Sequence, residues 1–203
     1  MTSEFVIHVV EDDQPMRDSL VVLIEEAGYK VRAYTAAEEL LAIGIPTEQG
    51  CVVSDVRMPG IDGLTLLRRL RAAGSALPLI LITGHGDISM AVAAMKEGAV
   101  DFLEKPFEAD ALLAAVEAAS RLRPANADPE GAEAARQRLE KLTSREQEVL
   151  AQLVAGRSNK EAAAKLAISP RTVEFHRAHI MEKTAAKGLP ELVRLWLAAR
   201  AHL

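Results

Sequence analysis

The sequence has little of what secreted, membrane-spanning or fibrous proteins are built from. A single cysteine, Cys51, leaves no intrachain partner for a disulfide, a usage that fits a reducing, intracellular setting. The longest apolar runs, such as LPLILI at 77–82, fall far short of the ~20 residues a bilayer-spanning helix requires. The opening MTSEFVIHVVEDD has no basic stretch and meets acids at Glu11, Asp12 and Asp13, so no targeting peptide, no membrane partner and a cytoplasmic location are expected. There is no internal repeat and no low-complexity tract. No Gly-rich phosphate loop of the P-loop type is present, which counts against a phosphotransfer enzyme.

The 203 residues suffice for one large domain or two modest ones, each with its own core. A net charge of −5 argues weakly against nucleic-acid binding when taken as one number. Divided, it reads differently. Residues 1–124 hold 11 Lys/Arg against 19 Asp/Glu, and residues 125–203 hold 13 against 10. An acidic half joined to a basic half implies two tasks, with any DNA contact confined to the C-terminal part.

The first 120 residues alternate strand and helix signals. Short apolar, β-branched runs occur at 5–10, 29–34, 51–56, 77–82 and 99–103, with helical spacing at 15–27, 36–43, 64–73, 88–97 and 108–122. Nearly continuous apolar strands are those buried on both faces of a parallel sheet. The pattern predicts a doubly wound α/β domain with a five-stranded parallel sheet over residues 1–122. RPANADPEGAE at 123–133 breaks it and reads as a linker, 123–141, running into a short helix over 133–141. Beyond it, helical patterns at 144–155, 159–166, 170–185 and 189–200 predict a small all-α domain of four helices over residues 142–203.

Glu11 and Asp12 follow the first predicted strand and Asp55 the third. In a doubly wound sheet such ends converge on the ligand crevice. Carboxylates gathered there repel one another unless a cation sits among them, and a hard divalent ion with oxygen ligands, Mg²⁺ above all, suits the place. Thr83 and Lys105 follow the fourth and fifth strands. Metal, hydroxyl and ammonium around one carboxylate is what phosphoryl transfer to an Asp nucleophile requires. Taken singly, each residue has a plainer reading: a solvated acid or helix cap, a turn threonine, a surface lysine.

The segments VVEDD, SDVRMPGIDG, ITGHGD and DFLEKPF resemble the signatures of two-component receiver domains, in that family's order, over roughly residues 4–122. The resemblance implies that Asp55 is the phospho-acceptor, and that Asp12, Asp55 and the backbone carbonyl of Arg57 ligate the metal, with Glu11 acting through water. It implies that Thr83 bonds the phosphoryl group, that Lys105 pairs with it, and that the Lys105–Pro106 bond is cis. Phe102 stands where receivers carry the aromatic that swings inward when the threonine is drawn to the phosphoryl group. Lacking a hydroxyl, it switches by packing alone.

In the C-terminal part, helices at 159–166 and 170–185 are joined by AISP, with Ser169 as N-cap and Pro170 at the first helical position. This predicts a helix-turn-helix. Val173, Ile180 and Thr184 share one face with Arg177 at its border, and Arg171, Glu174, Phe175 and Ala178 point away. Base edges with thymine methyls would cover an outward Phe175. So would the N-terminal domain or a second subunit. Thr172, His176, His179 and Lys183 run down one flank, suited to phosphates. A plain four-helix interaction module also fits the composition, and His176 with His179 lack a third metal ligand.

LTSREQEVLAQLVAGRSNKEAAAKLAISPRTVEFHRAHIMEK is similar to the LuxR-type DNA-binding domain over about residues 140–200, and with the receiver segments the chain looks most like the FixJ group of response regulators. That resemblance implies that helix 170–185 reads the major groove, with Lys160 on DNA backbone. His179 stands where the family usually has Asn, Thr184 where it has an apolar residue, and Ser89 where the group has proline. The expected protein is a transcription factor and not an enzyme. A sensor histidine kinase phosphorylates Asp55, and the phosphorylated homodimer binds promoter DNA, with RNA polymerase a further partner if it activates. Ala91, Val92 and Met95 form an apolar stripe on helix 88–97 for dimerisation. A regulator that binds DNA regardless of phosphorylation is the competing expectation.

Overall fold

The five apolar runs form the strands β1 (Val6–Val10), β2 (Lys30–Tyr34), β3 (Gly50–Asp55), β4 (Leu79–Thr83) and β5 (Asp101–Glu104) of a parallel sheet ordered β2-β1-β3-β4-β5. The computed structural model describes residues 5–44, 46, 49–84, 88–121 and 129–200, the side chains of 129 and 130 excepted. Residues 85–87 of the GHGD motif and most of the first half of the expected linker lie outside the described residues. The intervening helices are α1 (Gln14–Glu26), α2 (Ala37–Ala42), α3 (Gly63–Ala72), α4 (Ile88–Lys96) and α5 (Ala109–Arg121). Two compact units result: Met1–His85 with Glu97–Pro124, and Gly86–Lys96 with Ala125–Leu203.

In the first unit β1, β3 and β4 are buried along their whole length, which explains their unbroken apolar sequences. Ile7, Val9, Cys51, Val53, Ile80 and Ile82 turn one way and pack with Leu20 and Ile24 of α1 and Leu112, Ala115 and Val116 of α5. Among the polar side chains buried in the sheet, His8, fully buried, places Nδ1 3.1 Å from the Tyr34 hydroxyl. Gly63 opens α3 because nothing larger fits. A Cβ there would stand 2.3 Å from the Asp55 carbonyl oxygen and 2.8 Å from the Leu81 side chain.

The C-terminal helices are α6 (Pro129–Glu140), α7 (Ser144–Leu153), α8 (Asn159–Leu166), α9 (Pro170–Thr184) and α10 (Leu189–Arg200). Complete capping boxes open α7 (Thr143 with Glu146) and α8 (Ser158 with Glu161), and such caps contribute about 1 kcal/mol each. The α8–α9 turn passes through Ala167 at φ 53° to Ser169, whose hydroxyl accepts from the Thr172 amide, with Pro170 at the first helical position. Val149, Leu153, Ala162, Val173, Ile180, Leu192 and Val193 form the buried interior.

One expectation changes. The linker helix is longer than its sequence suggested: α6 buries Ala132 and Ala135 and packs on Leu195 and Ala199 of α10, inside the C-terminal unit. Its small alanines give a weak apolar signal, so the polar, acidic flank dominated the sequence pattern. Ala91, Val92 and Met95 of α4 are buried.

Candidate functional site

Parallel pairing sets the first site. Val10 lies opposite Ser54, so the residues that follow β1 and the last residue of β3 emerge side by side. Carboxylate oxygens of Glu11, Asp12 and Asp55 fall within 4.8 Å of one another. Glu11 and Asp55 are buried and Asp12 is exposed. From the end of β5, Lys105 Nζ donates to Asp55 Oδ1 at 2.7 Å and to Glu11 Oε2 at 2.8 Å. The Arg57 amide donates to the other oxygen, Asp55 Oδ2, at 2.7 Å. Thr83, fully buried, ends β4, and its carbonyl accepts from the Lys105 amide at 2.7 Å. The Lys105–Pro106 bond is cis. Phe102 on β5 is buried.

Electrostatics follow from this crowding. Burial, reinforced by the neighbouring Asp55 charge, raises the Glu11 carboxyl above the usual range even though Lys105 bonds to it. Burial works against the Lys105 charge, but its bonds to Asp55 and Glu11 outweigh this and hold its ammonium above the ordinary value. Three carboxylates facing one ammonium leave an excess of negative charge, and all the ligand atoms offered are hard oxygens. A divalent cation such as Mg²⁺ fits that donor set.

Three residues support the crevice through contacts that the sequence does not announce. Arg17 Nη1 donates to the carbonyls of Glu11 at 2.8 Å and Asp12 at 3.3 Å, tying down the acidic turn. Glu38 of α2 accepts from the Ile61 amide at 3.0 Å and so anchors the loop that leaves Asp55. Gly60 in that loop has φ +76°, and a Cβ on it would lie 2.4 Å from Glu38 Oε1. Neither contact has a periodicity or a motif of its own, and only folding brings residues 38 and 61 together.

The second candidate site is α9. Its inward residues are Val173, Ile180 and Thr184, all buried, and Arg171, Glu174, Phe175 and Ala178 are exposed, as the helical wheel predicts. Phe175 is 58% exposed, its ring 4.2 Å from that of His179 and 6.0 Å from that of His176. Lys160 is exposed in the first turn of α8, while His176 and Arg177 are half-buried. Glu174 accepts from Asn159 Nδ2 at 3.4 Å, and the Thr172 hydroxyl is 2.8 Å from that of Ser169. Thr184 fits its apolar position because its hydroxyl donates to the Ile180 carbonyl at 2.7 Å. Lys183, half-buried, is paired within the C-terminal unit. Its ammonium donates to both Glu146 oxygens at 2.8 Å, because the last turn of α9 packs beside the N-terminus of α7.

Comparison with known proteins bears on both sites. Residues 7–117 match the model of the response regulator receiver domain, and residues 140–196 match that of the bacterial regulatory proteins of the luxR family. The transcriptional regulatory protein FixJ of Bradyrhizobium diazoefficiens is 48% identical over 200 residues, covering 98% of each chain. That of Rhizobium meliloti is 47% identical over 197 residues, 97% of each. Among solved structures, full-length FixJ from B. japonicum aligns over 100% of both chains at 45% identity and a TM-score of 0.54. The response regulator StyR aligns over 95% of this chain and 98% of its own at 40% identity and a TM-score of 0.56.

Proposed function

The chain belongs to the response regulators that join a receiver to a LuxR-type DNA-binding domain, transcription regulators as a class, and from that premise we propose how its residues do this work. Asp55 accepts a phosphoryl group from a sensor histidine kinase: a carboxylate oxygen bonds to phosphorus as the phosphorus–nitrogen bond to the kinase histidine breaks. Asp12, Asp55 and the Arg57 carbonyl, with Glu11 assisting, would hold a divalent cation, which would offset charge on the phosphoryl oxygens. Lys105 exchanges its bond to Asp55 for one to the phosphoryl group, and the Thr83 hydroxyl supplies another. Phe102 responds to the threonine by packing.

The observation that supports this reading most is the Lys105–Asp55–Glu11 arrangement, an ammonium within 2.8 Å of both buried carboxylates. Phosphorylation promotes dimerisation, and paired α9 helices enter the major grooves of two half-sites. Arg171, Glu174 and Phe175 face the bases there. Lys160, Thr172, His176 and Arg177 approach the backbone. The receiver occupies residues 1–122, and α6 belongs with the DNA-binding domain. Activation of promoters, in contact with RNA polymerase, and a cytoplasmic place complete the proposal. Among the described residues no helix is long and apolar enough to cross a membrane.

Incubation with acetyl phosphate and Mg²⁺ should label the protein and tighten its binding to genomic fragments it selects. Asp55→Asn should do neither. Label retained by that variant, or DNA affinity indifferent to phosphorylation, would remove the proposal.

A further inference from the structure

The helix between the two recognised domains, α6, carries two arginines whose guanidinium groups end on backbone carbonyls of other helices. Arg138 Nε donates to the carbonyl of Thr184, the last residue of α9. Arg136 Nε donates to the carbonyl of Ala199 near the end of α10 at 3.1 Å. Arg138 also places Nη2 3.6 Å from Glu191 Oε1 of α10. The other Glu191 oxygen accepts from the Lys187 amide at 2.9 Å, in the loop that leaves α9.

Helix ends make such contacts count. The last four carbonyls of a helix have no intrahelical partner and carry the negative end of the dipole. In α9 the Met181 and Glu182 carbonyls are met by the amides of Ala186 and Ala185 as the chain turns through Ala185 at φ 51°. Thr184 is fully buried, and Arg138 meets its carbonyl with a positive charge. The guanidinium fork suits this double role of capping one group and pairing with another.

Resting on the reading that α9 enters the DNA groove, we propose that Arg138 is a positioning residue for the recognition helix. By holding Thr184 and Glu191 together it fixes the C-terminal end of α9 against α10, and hence the angle at which Arg171, Glu174 and Phe175 are presented. It touches no DNA. The LuxR-type domain of this chain therefore functions with α6 as its first helix, a part that lies almost wholly ahead of the family match at residues 140–196.

The test uses the full-length protein, phosphorylated with acetyl phosphate, and a duplex that the wild type selects from genomic fragments. Affinity is measured by fluorescence anisotropy well below the melting transition. Arg138→Ala should bind about three- to tenfold more weakly with an unchanged salt slope, unchanged labelling of the receiver and native helical circular dichroism. Arg138→Lys should recover part of the loss. A lower melting temperature with wild-type affinity would make Arg138 a stability residue only and overturn the proposal, as would a salt slope reduced by about one unit, the mark of a phosphate contact. Should Arg138→Ala not fold, Arg138→Gln keeps a donor toward Thr184 while losing the charge toward Glu191. It should lose affinity about two- to threefold, and wild-type affinity again overturns the idea. Failure of the parent reading looks different: Arg171→Ala would then leave base preference intact whatever Arg138 does.

Discussion

Lys183 Nζ sits 2.8 Å from each carboxylate oxygen of Glu146, pinning the end of α9 to the start of α7. Glu146 also accepts from the amide of Thr143 at 2.8 Å and from its hydroxyl at 3.0 Å. One carboxylate thus serves a helix cap and an interhelical ion pair. Lys183, though partly exposed, spends its charge on this carboxylate.

That pairing gives a stability prediction. Lys183→Met should lower the stability of the C-terminal unit by about 2 kcal/mol, less than a fully buried pair would show because the lysine is partly exposed. The bond from Lys183, with those from Thr143, holds the Glu146 carboxyl down to about 2, against 4.5 for the free group. A depressed carboxyl stabilises fully above the unfolded value and loses its contribution as pH falls from 4.5 toward 2. Urea unfolding of wild type and Glu146→Gln should therefore differ at pH 7 and converge toward pH 2. A constant difference would place the effect elsewhere. The salt slope of DNA binding should be the same in Lys183→Met as in wild type.

At the acidic crevice, Asp12 and Asp13 should behave differently. Asp13 is already occupied as the N-cap of α1, accepting from the Met16 amide at 2.9 Å. Asp13→Ala should cost about 1 kcal/mol of stability and leave Mg²⁺ affinity nearly unchanged, while Asp12→Ala should weaken it at least about tenfold. Calorimetric titration compares the two, and equal losses would show the metal register to be misassigned.

Lys105 competes with a cation for the same two carboxylates. Lys105→Met should bind Mg²⁺ more tightly, by up to about tenfold, because a positive charge leaves the crevice. Phosphorylation should nevertheless cease to tighten DNA binding in that variant. Protons compete as well. Since the Glu11 carboxyl is raised, metal affinity in the wild type should begin to fall at a pH above the ordinary carboxylate range. Glu11→Gln should flatten that part of the profile.

On α9, Arg171→Ala should relax base preference at one or two positions per half-site, a loss of roughly 1–3 kcal/mol of discrimination. Lys160→Ala should weaken all sequences alike and reduce the salt slope by about one unit. Selection from a randomised duplex pool separates these outcomes. Uniform losses in both would mean that α9 does not read bases.

The sequence alone determined the strands, the helices other than the start of α6, the acids at the strand ends and the turn before α9, because each rests on local physics. Period-two and period-3.6 patterns, Ser and Thr caps and proline at a helix start depend only on near neighbours. It also separated the buried from the exposed face of α9, since a single helix repeats every 3.6 residues whatever it packs against. What it left out are side-chain contacts that only folding makes, most of them between residues far apart in the chain. Arg17 on the carbonyls of the acidic turn, Glu38 on the Ile61 amide, Lys183 on Glu146 and Arg138 on Thr184 leave no periodic trace. A long cation reads the same whether it meets phosphate, solvent or a buried carboxylate. Only the tertiary structure decided between these, by bringing an unsatisfied carbonyl or carboxylate within reach and excluding the water that would otherwise have served it.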